Sequence, residues 1–328
     1  MTAIKIHKLF TELRDTLELT VYAGREGLMR SLTSKYINRP SMALMGWYKV
    51  FACERVQVLG KTEITYLNDL PKEKLYETLE RLFTYEDDKG RRIPCIIVSR
   101  GLEPPAVLAK LADKYKVPIL ISRLRTTELM SRLSRWLELF FAPTITVHGT
   151  MVDVLGVGIL FTGKSGVGKS ECALDLIERG HRLIADDIVV IKRIGTNVLM
   201  AYPTDVQGHY IEIRGLGLID IEKLFGIRAI RLQKRVEINI HLVFWNELDE
   251  CERLGITERY TSFLNVEIPK IIIPVSPGKN LTSITEVIAT NFKIKTFGEN
   301  LAKSFIDRIE ETLRRRRKTS SYLMEDYE

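Results

Sequence analysis

The sequence has little cysteine and no long apolar run. Its four cysteines, at positions 53, 95, 172 and 251, form no CxxC pair and no Cys/His cluster, which argues against a zinc site and against the disulfide framework of a secreted domain. No apolar stretch approaches membrane-spanning length, and the N-terminal residues interleave charged with apolar side chains instead of presenting the apolar core of an export signal. We therefore expect a cytoplasmic protein that is neither exported nor inserted into a membrane.

Internal repeats are also lacking, and the one low-complexity tract is an arginine run near the C-terminus. The net charge is +7, but residues 301–318 contain seven basic and three acidic side chains, which leaves a surplus of four positive charges in that segment. A nucleotide-switched regulator that binds DNA through the sequence RRRRK is one alternative. Because no DNA-reading motif accompanies the run, we favour a solvated terminal amphipathic helix and expect no nucleic-acid partner.

The length of 328 residues favours two domains. In the first part, CIIVSRG (95–101) and VPILIS (117–122) are typical of buried strands, and the segment between them has helical periodicity, so a βαβ unit is predicted. Residues 126–141 predict a helix opened by a threonine cap and ended before Pro143. We therefore expect an α/β fold with an N-terminal α/β domain over residues 1–141 and a second domain over residues 142–328.

The second part contains a phosphate-binding loop. Three short β-rich runs over residues 144–163 lead into GKSGVGKS (163–170), which satisfies G-x-x-x-x-G-K-[ST], and a helical pattern then runs to Gly180. The glycines let backbone N–H groups point at phosphates, the lysine reaches the terminal phosphates, and the serine hydroxyl can bind Mg²⁺. The predicted nucleotide-binding residues are Gly163, Lys164, Ser165, Gly166, Val167, Gly168, Lys169 and Ser170.

Two carboxylates, Asp186 and Asp187, close the next apolar strand, HRLIADD. A carboxylate at this position could hold Mg²⁺ directly or through water, or it could act as a base on an incoming hydroxyl. The spacing leaves open which aspartate has which role.

Other candidates are ambiguous by residue type alone. Glu212 and Arg214 alternate with isoleucines and would share one face of a strand, and a half-exposed structural strand followed by a turn is the simpler interpretation of this pattern. A single histidine such as His148 is more often structural than catalytic. Arg253 is a surface cation on the simplest interpretation, and PVSPGKN (274–280) is an ordinary connection.

Taken together, these segments resemble the bacterial HPr kinase/phosphorylase family. GKSGVGKSE, RGHRLIADD, EIRGLGLIDI and PVSPGKN occur in the family's order and spacing, and SRGLEPP and TTELMSRL extend the resemblance into the first domain. The resemblance implies a C-terminal phosphate-loop (Walker A) kinase domain with a fold like that of PEP carboxykinase. It also implies that ATP and Mg²⁺ are used.

The resemblance implies a role for each matching residue. Lys169 and Ser170 would serve ATP and Mg²⁺, and Glu212 would be a further metal ligand. Asp187 would accept the proton of the target serine during phosphorylation and return it in the reverse reaction. His148 and Arg253 match positions that the family counts as active-site residues.

The implied protein substrate is HPr, the phosphocarrier of the sugar phosphotransferase system, which would be phosphorylated on a serine and dephosphorylated by inorganic phosphate to give pyrophosphate. A homohexamer, regulation by fructose 1,6-bisphosphate and a role in carbon metabolism are further implications. The chain departs from the family's PVRPGR pattern at Ser276, which bears on the strength of the reverse reaction. A phosphate-loop kinase of a small metabolite is the alternative function.

Overall fold

The computed structural model describes residues 3–204, 208–245, 259–276 and 278–296. The chain divides into two compact units, Met1–Ala142 and Pro143–Glu328. Each unit combines helices with a mainly β core, so the expectation of a two-domain α/β protein is confirmed. No helix within the described ranges is long and apolar enough to cross a membrane.

The first unit is built on a five-stranded sheet with the order β2-β7-β6-β5-β4. The strands of this unit are β1 (Ile4–Lys5), β2 (Leu19–Ala23), β3 (Ser31–Leu32), β4 (Ile37–Asn38), β5 (Val56–Leu59), β6 (Ile96–Val98) and β7 (Ile119–Ser122), of which β1 and β3 pair in a separate two-stranded sheet. Its helices are α1 (Ile6–Leu13), α2 (Ser41–Leu44), α3 (Lys61–Asp69), α4 (Lys72–Thr84), α5 (Ala106–Tyr115) and α6 (Thr126–Phe140). The strands β4 to β7 are parallel neighbours, and β6, α5 and β7 form the βαβ unit that the sequence predicts.

The start of α6 differs from the sequence prediction. Thr126 does not cap the helix: it is the first helical residue, and its hydroxyl lies 2.7 Å from the Ser99 hydroxyl. The capping position belongs to Arg125, which makes no side-chain hydrogen bond to the helix. The Thr126 hydroxyl therefore contacts a residue that follows β6, and α6 begins without the side-chain cap that the sequence suggested.

The second unit contains a six-stranded sheet with the order β11-β9-β10-β17-β19-β18, a four-stranded sheet with the order β16-β13-β12-β8 and the hairpin β14-β15. The strands are β8 (Thr144–His148), β9 (Thr150–Val154), β10 (Val157–Gly163), β11 (Arg182–Ala185), β12 (Ile188–Ile194), β13 (Val198–Tyr202), β14 (Tyr210–Ile213), β15 (Gly217–Asp220), β16 (Lys234–Arg235), β17 (Ile238–Phe244), β18 (Arg259–Phe263) and β19 (Val266–Val275). The helices are α7 (Lys169–Glu178), α8 (Ile221–Phe225) and α9 (Leu281–Thr296).

The core of the second unit fixes the ends of the strands that carry polar side chains. Apolar residues of β9, β10 and β17 pack against α7 and α9, with Phe161 and Ile240 fully buried among them. The end of β10 pairs with β17 in parallel register, so that Gly163 lies opposite Leu242. The chain leaves the sheet there and enters the phosphate loop.

Candidate functional site

The phosphate loop joins β10 directly to α7. Gly163 has a φ of +139°, and a Cβ on it would lie 2.3 Å from the Leu242 carbonyl oxygen, so only glycine allows β10 to pass this close to β17. The first helical residue is Lys169, preceded by Gly168 in the left-handed conformation. This strand, loop and helix geometry directs the N-terminal end of α7, where backbone N–H groups and the helix dipole favour anions, towards the loop.

Lys169 is buried at the base of the loop, with 7% of its surface exposed. Its Nζ donates hydrogen bonds to the carbonyl oxygens of Gly163 and Lys164, at 3.2 and 3.1 Å. Burial lowers the pKa of Lys169, and the nearby carboxylates of Asp186 and Asp187 partly oppose that shift. The ammonium group is therefore held inside the loop, in the place from which it could reach bound phosphates.

Asp186 is the buried member of the aspartate pair, at 5% exposure. Its Oδ1 accepts a hydrogen bond from Thr150 Oγ1 at 2.6 Å, and Ser170 Oγ lies 3.0 and 3.1 Å from its two carboxylate oxygens. Burial raises the pKa of Asp186, although these hydrogen bonds act in the opposite direction.

Asp187 lies in a different environment from its neighbour. Its side chain is about half exposed at 51%, and its Oδ1 lies 2.9 Å from His148 Nδ1. The same Nδ1 lies 3.0 Å from the Asp187 backbone carbonyl oxygen. Because both of these partners are acceptors, Nδ1 must carry a proton, and the ring presents its other nitrogen, Nε2, away from the aspartate.

The sheet register explains why the histidine and the aspartate meet. His148 is the last residue of β8 and pairs with Ile188, the first residue of β12. Asp187 immediately precedes Ile188 and has a φ of +61°, while Gly149 N–H donates to its carbonyl oxygen. The backbone turn thus holds both side chains at the same edge.

Glu212 lies on β14, where Ile211 and Ile213 are buried and Glu212 is exposed. The oxygen atoms of Ser170, Asp186 and Glu212 are of the kind that Mg²⁺ prefers. The Ser170 hydroxyl already donates to Asp186, which leaves its oxygen lone pairs available to a metal ion. The contacting oxygen atoms of Ser170 and Asp186 therefore fit a magnesium ion at the start of α7.

Not every predicted residue can be placed. Arg253 and the segment 301–318 lie outside the described residues, as does Pro277 in the loop that contains Ser276 and Lys279. Lys279 Nζ donates to the Pro274 carbonyl oxygen at 3.2 Å.

Sequence reasoning missed Thr150, which donates to Asp186. Thr150 belongs to the strand after His148, and its hydroxyl carried no local signal. Arg214 lies in the segment EIRGLGLIDI, on which the family resemblance rests and which the family ties to catalysis, but its place beside the loop was not predicted. Its guanidinium nitrogen atoms lie 3.1 and 3.2 Å from the position that a Cβ on Gly166 would take.

Comparison with known proteins identifies a family over both units. The model of the HPr Serine kinase N terminus matches residues 4–137, and the model of the HPr Serine kinase C-terminal domain matches residues 140–309. The HPr kinase/phosphorylase of Halalkalibacterium halodurans is 43% identical over 302 residues, which cover 92% of this chain and 96% of that protein. The protein of the same name from Shouchella clausii is 41% identical with the same coverage.

Among solved structures, that of the Hpr(Ser) kinase/phosphatase from Coxiella burnetii is 34% identical. The alignment covers 47% of this chain and 99% of the Coxiella burnetii chain, with a TM-score of 0.43.

Proposed function

The chain belongs to the HPr kinase/phosphorylase family, a family of bifunctional enzymes, and on that premise we propose how its site works. The enzyme transfers the γ-phosphoryl group of ATP to a serine of HPr. It also removes that group with inorganic phosphate and releases pyrophosphate. The observation that carries this proposal is the difference in environment between two adjacent aspartates. Asp186 is buried and accepts a hydrogen bond from Ser170, whereas Asp187 is half exposed and contacts His148.

The exposed aspartate is the one that a protein substrate can reach. Asp186 is 5% exposed and its oxygens already accept hydrogen bonds from Thr150 and Ser170, so an incoming serine cannot approach it. Asp187 is half exposed, and its charge acts on Lys169 of the loop. We therefore assign Asp187 as the base that takes the serine proton in the forward reaction and as the acid that returns it in the reverse reaction.

His148 orients the carboxylate of Asp187 through its Nδ1–H group. Lys169 and the loop residues 163–170 hold the phosphates of ATP, and Lys169 offsets the charge of the transferred group. Ser170 and Glu212 are the residues that would hold Mg²⁺, which would supply positive charge to offset that of the phosphates. By family resemblance, we also count Arg253 among the active-site residues.

A labelling experiment tests the function. The full chain is incubated with Mg²⁺, ATP labelled on its γ-phosphate and purified HPr, with HPr whose target serine is replaced by alanine as the control. We expect label on the serine of HPr, no label on the control, and release of labelled pyrophosphate after excess inorganic phosphate is added. Label that reaches only a small metabolite would instead identify a metabolite kinase.

We propose further properties on the basis of the family alone. We expect the segment 142–328 to form the catalytic domain with a fold like that of PEP carboxykinase, separate from the domain over residues 1–141. A cytoplasmic homohexamer that is regulated by fructose 1,6-bisphosphate and acts in carbon metabolism is the corresponding assembly. Light scattering of the purified chain tests the homohexamer, and activity assays with fructose 1,6-bisphosphate test the regulation.

A further inference from the structure

The carboxyl ends of four parallel strands lie at one edge of the sheet in the first unit. The strands β4, β5, β6 and β7 are parallel neighbours, so the segments that follow them emerge at the same edge. In open α/β sheets, ligands bind outside this edge, at the point where the connections after neighbouring strands leave opposite faces of the sheet.

Such a point lies between β6 and β7. The helix that follows β6 is α5, and its Leu111 packs in the core that contains Val98. The helix that follows β7 is α6, and its Leu133 packs in the other core, which contains Ile97. Because successive strand residues point to opposite faces of a sheet, the two helices cover opposite faces. The connections after β6 and β7 therefore diverge at the carboxyl edge.

The segments that follow β5, β6 and β7 touch one another at this edge. Arg100 N–H donates to the Leu124 carbonyl oxygen at 2.8 Å, and the Ser99 hydroxyl lies 2.7 Å from that of Thr126. A Cβ on Gly60 would lie 3.0 Å from the Thr126 hydroxyl oxygen. Neighbouring strands are about 4.8 Å apart, so the ends of three strands span about 10 Å. That width suits a small molecule.

Four exposed cations of these segments form no ion pair within the described ranges, namely Lys61, Arg100, Arg123 and Arg125. The nearby carboxylates do not compensate them. Glu63 pairs with Arg39 and Glu128 pairs with Arg132, while Glu103 forms no ion pair with any of the four. The edge therefore carries a surplus of positive charge.

This charge opposes the local stability of the helices. Arg125 occupies the capping position of α6, and Lys61 is the first residue of α3, where the helix dipole is already positive. No side chain at the capping position accepts a hydrogen bond from the first N–H groups of α6. Features that break a local rule of this kind are expected at functional sites. A bound anion would offset the charge and accept hydrogen bonds from these donors.

We propose that the carboxyl edge of the first unit is a binding site for a small molecule with two phosphate groups. Arg100, Arg123 and Arg125 supply guanidinium groups, which bind phosphate oxygens in a bidentate manner, and Lys61 adds a fourth positive charge. All of these residues belong to the first unit. The site is therefore additional to the phosphate loop and does not depend on the proposed function.

Hydrogen exchange of the full chain without Mg²⁺ tests the site. Exchange over residues 122–130 is followed during titration with pyrophosphate, with fructose 1,6-bisphosphate, and with sodium chloride at equal ionic strength. Residues 163–170 report separately on the phosphate loop. The variants are Arg123→Gln and Arg125→Gln, and the matched control is Arg135→Gln, which changes an exposed arginine farther along α6.

We expect at least one of the two phosphate compounds to slow exchange over residues 122–130 more than sodium chloride does. The more effective compound distinguishes a diphosphate from a sugar bisphosphate as the ligand class. Each glutamine variant should raise the midpoint of that titration about 10- to 100-fold, because a charged hydrogen bond contributes an effect of this size. Arg125→Lys should give an intermediate midpoint, since lysine keeps the charge but lacks the planar guanidinium group. Arg135→Gln should leave the midpoint unchanged.

Three results would overturn the proposal. The first is exchange that neither phosphate compound slows more than sodium chloride does. The second is a wild-type midpoint in both glutamine variants, whose exchange without any added compound shows whether they are folded. The third is stronger slowing by a short oligonucleotide, which would make the edge a nucleic-acid site. Failure of the proposed function is a separate result, because it is measured by the labelling of HPr.

Discussion

The Nδ1 atom of His148 lies 2.9 Å from the Oδ1 atom of Asp187, although the two residues belong to strand ends that are 39 positions apart in the chain. The antiparallel register of β8 with β12 produces this contact. Both side chains remain half exposed, so the pair can meet a hydroxyl group that arrives from solvent.

Replacement of Asp187 by asparagine should abolish phosphoryl transfer in both directions. Asparagine tolerates the left-handed conformation found at this position at least as well as aspartate, so the substitution removes the base and keeps the backbone. We expect a rate loss of about 10²- to 10⁴-fold and an unchanged nucleotide affinity. HPr labelling and titration with a fluorescent nucleotide measure the two effects, with Asp15→Asn, on the exposed surface of the first unit, as the control.

Replacement of His148 by alanine should slow transfer without weakening nucleotide binding. The substitution removes the donor to Oδ1 and to the backbone carbonyl oxygen of Asp187, and the carboxylate then samples other positions. Misplacement of a reacting group by about 1 Å costs up to roughly 10²-fold in rate. His148→Asn should recover part of the loss, because its amide N–H can replace Nδ1–H. Equal rates for the wild type and His148→Ala would rule out this orienting role.

Replacement of Gly166 by alanine should weaken nucleotide binding. The new methyl group would lie 3.1 Å from Arg214 Nη2, in a residue whose φ of +76° already disfavours a side chain. The backbone strain alone costs roughly 1–2 kcal/mol. In an Arg214→Ala background the steric part of the penalty should disappear, so the two substitutions should not be additive. Strictly additive effects on the nucleotide affinity would show that the two residues do not interact.

Replacement of Arg125 by aspartate should stabilise α6. An arginine at the capping position leaves the first N–H groups of the helix without a side-chain acceptor and adds a positive charge to the positive end of the dipole. An aspartate cap should contribute about 1 kcal/mol, seen as slower hydrogen exchange within residues 126–140. Arg135→Asp makes the same charge change farther along the helix and should give no such gain.

The cysteines at positions 53, 95 and 172 should resist thiol reagents in the folded protein. All three are buried and free of disulfides, and burial raises the pKa of Cys95 and of Cys172 to about 12 and raises that of Cys53. Only the thiolate reacts, and a pKa of about 12 leaves almost none of it at pH 8 for Cys95 and Cys172. All three thiols should react quickly once denaturant is added, as mass spectrometry after alkylation will reveal. Rapid labelling of Cys95 in the native state would contradict the buried environment.

The sequence predicted local features well, because they depend on patterns within a few residues of each other. The βαβ unit around α5 follows from apolar runs and helical spacing, and the phosphate loop follows from glycines between a strand and a helix. Contacts between residues that are far apart in the sequence were harder to predict. Thr126 was expected to cap its own helix, but its hydroxyl contacts Ser99, which the sheet brings alongside.

The separation of Asp186 from Asp187 shows the same limit. Both are carboxylates at a strand end, and nothing local distinguishes them. The contacts of Asp186 with Thr150 and Ser170 arise from β9 and α7, and those of Asp187 arise from β8. The family resemblance supplied an assignment that residue types could not, and the roles of the individual residues stay predictions until the variants are measured.

The Asp186 carboxylate accepts hydrogen bonds from Thr150 of β9 and from Ser170 at the start of α7, which are two segments of distant sequence. This one buried anion thereby ties the serine of the phosphate loop to the strand that follows His148. Any displacement of α7 relative to β9 must stretch a bond at that anion or carry the anion along. Because Asp187 is the next residue in the chain, a protein that presses on Asp187 from outside is mechanically connected to the position of Ser170.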